Sequence, residues 1–251
     1  MKSIVVTDIE LRSRWYANRT EKLTVPCGAV LTPAAKDFIR ENNITLIFGS
    51  ASPEGSFTVT PIPKENGRNV FYDASTGQKL YEKKENYTHL HGNLLVPKTH
   101  PRIALRGELD SLMAEIIQTQ ITANSDGEYG LVSDLEELLC FTRKIMAAEA
   151  NDSSFGELKL LGMDSAQLRY KSQNVREIFG IDHPVPSYKH GAVCGALNKL
   201  RTSARRAELA AVNAFDGGDG MDIIEALNRL SSCIYILYVR KISGCEGGMM
   251  R

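Results

Sequence analysis

Nowhere does the sequence approach the ~18 consecutive apolar residues of a membrane-spanning helix. The amino terminus, MKSIVVTDIELRSRW, reaches Asp8 and Glu10 after only a short apolar run, so the expectation is a cytoplasmic protein with no membrane partner. Net charge is missing too. Lys+Arg and Asp+Glu are both 30, so no global field draws nucleic acid or an anionic bilayer, and any anion site must be local. Cysteines are sparse and their pattern is unpaired: the five, at positions 27, 140, 194, 233 and 245, are widely spaced with no CxxC. That excludes a disulfide framework or a zinc ribbon and favours reduced thiols, with Cys140, Cys194 and Cys233 expected in the core. The usual nucleotide loops are also missing. There is no GxxxxGK followed by Ser or Thr and no GxGxxG, and GGDGMD (217–222) reads as a loop leading into a helix.

What is present is an ordinary globular chain of 251 residues, 43% hydrophobic, long enough for one or two domains. Residues 1–88 read as a small α/β domain. Thr32 and Pro33 are an N-cap and N1 pair, AAKDFIREN continues as a helix, and ITLIFG follows as a strand. FTVTPI and NVFY are further β-rich runs, separated by turn chemistry in SASPEGS, PKENGR and DASTGQ, and EKKENYT (82–88) reads as a linker. From residue 100 the period becomes helical. Leu105, Leu109, Leu112 and Ile116 form one stripe; Ser133 and Glu136 match a capping box for a second helix; Asp164 and Gln167 match one for a third, ending near Gly180. A fourth helix, about 190–213, carries Leu197, Leu200, Ala204, Ala207 and Ala211; a fifth, about 221–242, carries Ile223, Leu227, Leu230, Ile234 and Leu237. The fold class is therefore mainly α: a five-helix bundle over 89–251 preceded by the α/β domain of 1–88.

The bundle breaks its own pattern in a few places. Arg201, Arg205 and Glu208 lie within about 60° of one another on the fourth helix, bordering its apolar stripe. Arginines at i and i+4 repel in water, whereas their forks match phosphate oxygens; a solvated charged face is the other reading. On the first helix Asp110 lies angularly between Met113, Ile117 and Ile121, where a carboxylate needs a cationic partner. On the fifth, Asn228 and Ser231 share a face with Ile224, Tyr235 and Tyr238 and need partners too. A polar pocket between helices accounts for these together; separate satisfied polar groups that fix register are the alternative. THLHGNLLVPKTHPR (88–102) gathers His89, His91 and His100 with Lys98 and Arg102. A phosphate-binding loop before a helix suits these residues better than a metal site, which lacks an acidic or thiol companion. His183 and His190 flank PVPSYK, either lining a ligand mouth or in a surface loop.

Taken together, VPKTHPRIALRGELDSL, DHPVPSYKHG, LRTSARRAE and ALNRLSSCIY resemble, in that order, the segments of the ATP:corrinoid adenosyltransferases. The Arg-Thr-x-x-Arg-Arg-x-Glu and Asn-Arg-Leu-Ser elements are the specific ones. LTPAAKDFIRENNI and the Asn-Arg-Leu-Ser-Ser variant resemble the ethanolamine-utilization subgroup. The resemblance implies a five-helix bundle, usually trimeric, with ATP between subunits. It implies that Asp110 pairs with Arg201 near that interface, that Lys98, Arg102 and Arg205 contact the nucleotide phosphates, and that Glu208 and Asn228 orient the nucleotide. The implied substrates are Mg-ATP (ATP with Mg2+) and cobalamin in the Co(I) state. Corrinoid binding falls to His183, Val185, Tyr188 and His190, with Val185 and Tyr188 as candidates for an apolar wall that excludes the axial cobalt ligand. A reductase, ethanolamine ammonia-lyase and a bacterial microcompartment are the implied associations.

Two departures bear on this. Some ethanolamine-type members carry Cys-Cys-x-x-Cys just upstream of Thr-His-Leu, and residues 70–91 here hold no cysteine, so no metal bound by protein cysteines is expected. The Gly/Thr-rich phosphate loop of propanediol-type members is absent, leaving THLHGN as its substitute. A non-catalytic corrinoid- or nucleotide-binding or scaffold module is the competing function. A nucleic-acid module is disfavoured because no stacking aromatics accompany the arginines.

Overall fold

The computed structural model describes residues 63–65, 67–215 and 219–244, and in the amino-terminal part short pieces within 5–48. The chain separates into two compact units, Met1–Phe57 and Thr58–Arg251. In the first, β1 (Val5–Val6) pairs parallel with β3 (Val30–Leu31), and β2 (Lys22–Val25) pairs parallel with β4 (Thr45–Phe48). Parallel pairs need a crossover, and Ala35, Phe38 and Ile39 are helical between β3 and β4. Leu23, Val25, Ala35, Phe38 and Ile44 make its small core. The expected strand ITLIFG is β4, whereas Thr32, Pro33, SASPEGS and FTVTPI lie outside the described residues.

In the second unit, β5 (Lys64–Glu65) and β6 (Arg68–Asn69) pair antiparallel. β7 (Phe71–Asp73), β8 (Lys79–Leu80), β9 (Tyr87–His91) and β10 (Leu94–Pro97) form one sheet in the order β8-β7-β10-β9. The turn after β7 is held by the Asp73 carboxylate, which accepts from the backbone N–H groups of Ser75 and Thr76 at 2.9 and 3.0 Å. This sheet spans residue 88: Tyr87 and Thr88, read as the end of a linker, are the first residues of β9. THLHGN is correspondingly a tight hairpin and not an open loop. Its Gly92 adopts φ 53°, a left-handed conformation that glycine enters without steric cost.

The bundle begins at α1 (Pro101–Ser125), whose cap is His100: its Nδ1 accepts from the Arg102 N–H at 3.2 Å. Leu105, Leu109, Leu112 and Ile116 are wholly buried, as their spacing predicts. α2 (Tyr129–Ala150) starts one turn before the expected capping box. Ser133 instead bonds back to the Tyr129 carbonyl at 3.3 Å, and Glu136 accepts from Gln120 of α1 at 2.9 Å. Glu128, at the actual start, pairs with Lys241. After a hairpin of β11 (Lys159–Leu160) and β12 (Met163–Asp164), α3 (Ser165–Gln173) carries the expected reciprocal cap: Gln167 N–H to Asp164 at 2.8 Å and Asp164 N–H to Gln167 at 3.0 Å. The third helix of the sequence pattern breaks at Asn174 and resumes as α4 (Val175–Phe179), ending at Gly180.

A short 3-10 turn, Tyr188–His190, leads into α5 (Gly191–Ala214), and α6 (Met221–Ser243) closes the bundle. Gly220 is obligatory before α6. A Cβ there would lie 2.4 Å from the Phe215 ring, and its φ is 64°. All five apolar positions expected on each of α5 and α6 are buried. Alanines at 204, 207 and 211 bring α5 close to its neighbours; it packs on α1 and α6. Cys194 and Cys233 are in the core, but Cys140 is only half-buried, beside Glu136. Among the described residues no helix is long and apolar enough to cross a membrane.

Candidate active site

α5 and α6 run antiparallel through the short connection between them, and their polar residues meet in register. Asn228 of α6 donates to the Glu208 carboxylate of α5 at 2.7 Å. The buried-amide problem posed by the sequence is thus solved by a cross-helix partner. Seven residues, about 10 Å along a helix, separate this pair from Arg201 on α5 and Tyr235 on α6, which are therefore level. Burial raises the phenol pKa values of Tyr235 and Tyr238, and the positive field of Arg201 partly opposes both shifts. Among the described residues Arg201 bonds only a neutral partner, the Asn198 amide oxygen, at 3.4 and 3.2 Å. Arg205 is exposed and, among the described residues, has no hydrogen bond or ion pair. The neighbouring Arg206 faces α1 and pairs with Glu108 at 3.3 Å.

The four residues of Asn-Arg-Leu-Ser divide the work of α6. Asn228 faces Glu208, Arg229 donates to Ser165 of α3 at 2.9 Å, Leu230 enters the core, and Ser231 bonds the Asn228 carbonyl at 2.8 Å. Farther along, Tyr235 and His183 lie 2.7 Å apart, hydroxyl to Nδ1, with rings near-parallel at 12°. Tyr238 meets His190 Nδ1 at 3.4 Å. Both histidines of DHPVPSYKHG therefore land on α6 tyrosines beside Arg201. Val185 and Tyr188, between them, are 81% and 89% exposed.

Other candidates are placed differently. Asp110 is exposed on the outside of α1 and not in an interhelical pocket: of the apolar residues flanking it, Met113 packs against the core, but Ile117 is 44% and Ile121 54% exposed. It pairs with no arginine within the described chain. Lys98 is exposed and reaches Glu85 at 3.3 Å. Arg102 is drawn to a different anion: its Nε donates to Glu149 Oε1 at 2.5 Å, its Nη2 to the Glu149 carbonyl at 2.7 Å, and its Nη1 to Asp152 at 3.2 Å. The guanidinium also lies 4.9 Å over Phe215. Arg106 bonds the other Glu149 oxygen at 2.5 Å and the carbonyls of His89 and Leu90 at 3.2 and 2.6 Å. This wholly buried glutamate went unread in the sequence, although Thr142, Ile145 and Glu149 continue the buried stripe of α2 at helical spacing.

The three upstream histidines do not converge. His89 Nδ1 lies 3.0 Å from the Gly92 carbonyl oxygen, His100 caps α1, and the buried His91 Nδ1 has no hydrogen-bond partner among the described residues. Among the described residues no three His, Cys, Asp or Glu side chains are grouped to hold a metal.

Residues 80–241 match the sequence profile of the family described as cobalamin adenosyltransferase. The chain is 27% identical over 252 aligned positions to the corrinoid adenosyltransferase EutT of Salmonella typhimurium, covering 95% of this chain and 92% of that protein. It is 26% identical over the same span to EutT of Escherichia coli K12, with the same coverage. Among solved structures, a variant PduO-type ATP:corrinoid adenosyltransferase from Lactobacillus reuteri, complexed with cobalamin and ATP, superposes with a TM-score of 0.53 at 23% identity, over 64% of this chain and 91% of that one.

Proposed function

We infer the activity from the fact that the chain belongs to the cobalamin adenosyltransferase family: it transfers the 5′-deoxyadenosyl group of ATP to cob(I)alamin, releasing triphosphate. Similarity to EutT along nearly the whole chain places it with the ethanolamine-utilization type. Its product would then serve ethanolamine ammonia-lyase, with a reductase supplying Co(I) and a microcompartment as the setting.

The observation that carries the mechanism is an arginine pair without a protein anion. Arg201 has only an amide partner and Arg205 none among the described residues, so both guanidiniums are available to a triphosphate. In the reaction a cobalt–carbon bond forms at C5′, the C5′–oxygen bond breaks, and its electron pair leaves with the triphosphate. Charge develops on that leaving group, and fixed guanidinium donors stabilise it more in the transition state than in the ground state. Glu208, held by Asn228, orients the nucleotide, and Lys98 adds a mobile cation. Arg102, neutralised by Glu149, sets the start of α1. With no three-ligand acidic group among the described residues, Mg2+ would enter with the phosphates, its usual mode.

The site is completed by a second copy. Arg205, Leu209 and Val212 share one face of α5, and Asp110, Ile117 and Ile121 one face of α1. The four apolar members are 44–67% exposed. Exposed apolar residues beside Arg205 on one face and Asp110 on the other, neither with a partner among the described residues, suit a subunit interface in which Asp110 meets an arginine of its neighbour. A trimer is the assembly proposed. The test is to mix the purified protein with Mg-ATP and chemically reduced cob(I)alamin, and to follow loss of cob(I)alamin absorbance together with triphosphate. Stoichiometric formation of both products supports the activity; corrinoid binding without triphosphate release would favour a binding module.

A further inference from the structure

The segment between α4 and α5 is attached to the bundle in an unusual way. Pro184 and Pro186 have no N–H to donate and hold their preceding residues extended. Among the described residues no backbone–backbone hydrogen bond ties 181–186 to any helix. Its ion pair, Arg176 with Asp182, is 3.7 Å long with both side chains more than 80% exposed, and contributes little. Besides packing by Ile181 and the half-buried Pro184, the hydrogen bonds that join the segment to α6 among the described residues are the two histidine–tyrosine contacts, one near each end. Tyr235 and Tyr238 are one turn apart on α6 with ring centroids at 6.3 Å, so they pin the ends of a short arch. On its crest stand Val185 and Tyr188, almost fully exposed.

We propose that Tyr235 and Tyr238 are positioning residues for the corrinoid: by holding His183 and His190 they fix the 181–190 arch so that Val185 and Tyr188 present a pre-set apolar wall to a flat macrocycle. This rests on the adenosyltransferase reading. An unheld arch would have to be ordered by the ligand at the ligand's expense, whereas a held one has that entropy already removed. Tyr235 is the stronger pin, since its hydroxyl is 2.7 Å from His183 and stacked, while the Tyr238 contact is 3.4 Å and edge-on.

The experiment compares full-length wild type with Tyr235→Phe, Tyr238→Phe and His183→Ala in two readouts. Hydrogen exchange of peptides covering 181–190, where the Lys189 and His190 amides are hydrogen-bonded to Ser187, needs no activity. It should accelerate in Tyr235→Phe and His183→Ala, with α5 and α6 unchanged. In turnover, KM for cob(I)alamin should rise about two- to tenfold, the scale of one net hydrogen bond, with KM for ATP unchanged and a smaller rise in Tyr238→Phe. Unchanged exchange would overturn the holding role, and faster exchange with unaltered corrinoid KM would overturn its service to the corrinoid. If the wild type itself gives no turnover, the activity assignment and the corrinoid role fall together, while exchange still decides whether the tyrosines hold the arch.

Discussion

Arg102 and Arg106 on α1 stand four residues apart, as Arg201 and Arg205 do on α5, and both pairs border the apolar stripe of a bundle helix. Around the first pair the fold supplies counter-charge: Glu149, with its side chain fully buried, bonds both guanidiniums, which are only 13% and 21% exposed, and Asp152 adds a second carboxylate on Arg102. Around the second it supplies one neutral amide for Arg201 and nothing among the described residues for Arg205. Spacing is the same and the repulsion in water similar, a few tenths of a kcal/mol. What differs is the partner, and the partner separates an arginine pair that builds the fold from one left ready for a ligand.

The largest expected effect is on the neutralised pair. Glu149→Ala takes the buried carboxylate from two nearly buried cations, leaving Arg106 only carbonyl acceptors and Arg102 the exposed Asp152, and should cost about 3–5 kcal/mol, read as a lower urea midpoint at unchanged slope. A midpoint within error of wild type would erase the distinction. Arg201→Ala should do the reverse. Turnover should fall about 100-fold, the scale for removing a charge-stabilising donor, with the urea midpoint nearly unmoved because only the Asn198 amide loses a partner. Asn228→Ala, which releases Glu208, should raise KM for ATP about tenfold, in line with a hydrogen bond to a charged group, and leave KM for cob(I)alamin as it was. The smallest effect should follow chelation. Since residues 70–91 hold no cysteine, stripping transition metals and restoring Mg2+ alone should leave turnover within about twofold of the starting rate. A larger loss would reveal a metal site that the sequence departure argues against.

Most of the bundle was legible because its core follows a simple period: the leucines of α1 and the leucine and alanine stripes of α5 and α6 recur every three or four residues and are buried. The α2 start was misread for a physical reason. Ser133 and Glu136 have capping-box spacing, but Glu136 is engaged by Gln120 across helices and the turn is set by Glu128 with Lys241. That Asn228 needs a partner was legible, because an amide on an apolar helix face cannot go unbonded; that the partner is Glu208, 20 residues earlier on α5, was not. Nor was the place of Asp110. Periodicity marks an apolar face without saying whether the core or another molecule covers it, and Ile117 and Ile121 lie exposed. The ion pair of Arg102 was not legible because its partner, Glu149, is 47 residues away, beyond any local pattern.

The most direct test of the contrast is to assay triphosphate release by wild type and Arg205→Ala with Mg-ATP and cob(I)alamin, measuring the thermal midpoint of each in the same buffer. A loss of activity of about 100-fold at an unchanged midpoint is the predicted result. Full activity in Arg205→Ala would show that the unpaired arginine is a solvated surface charge and would contradict the account.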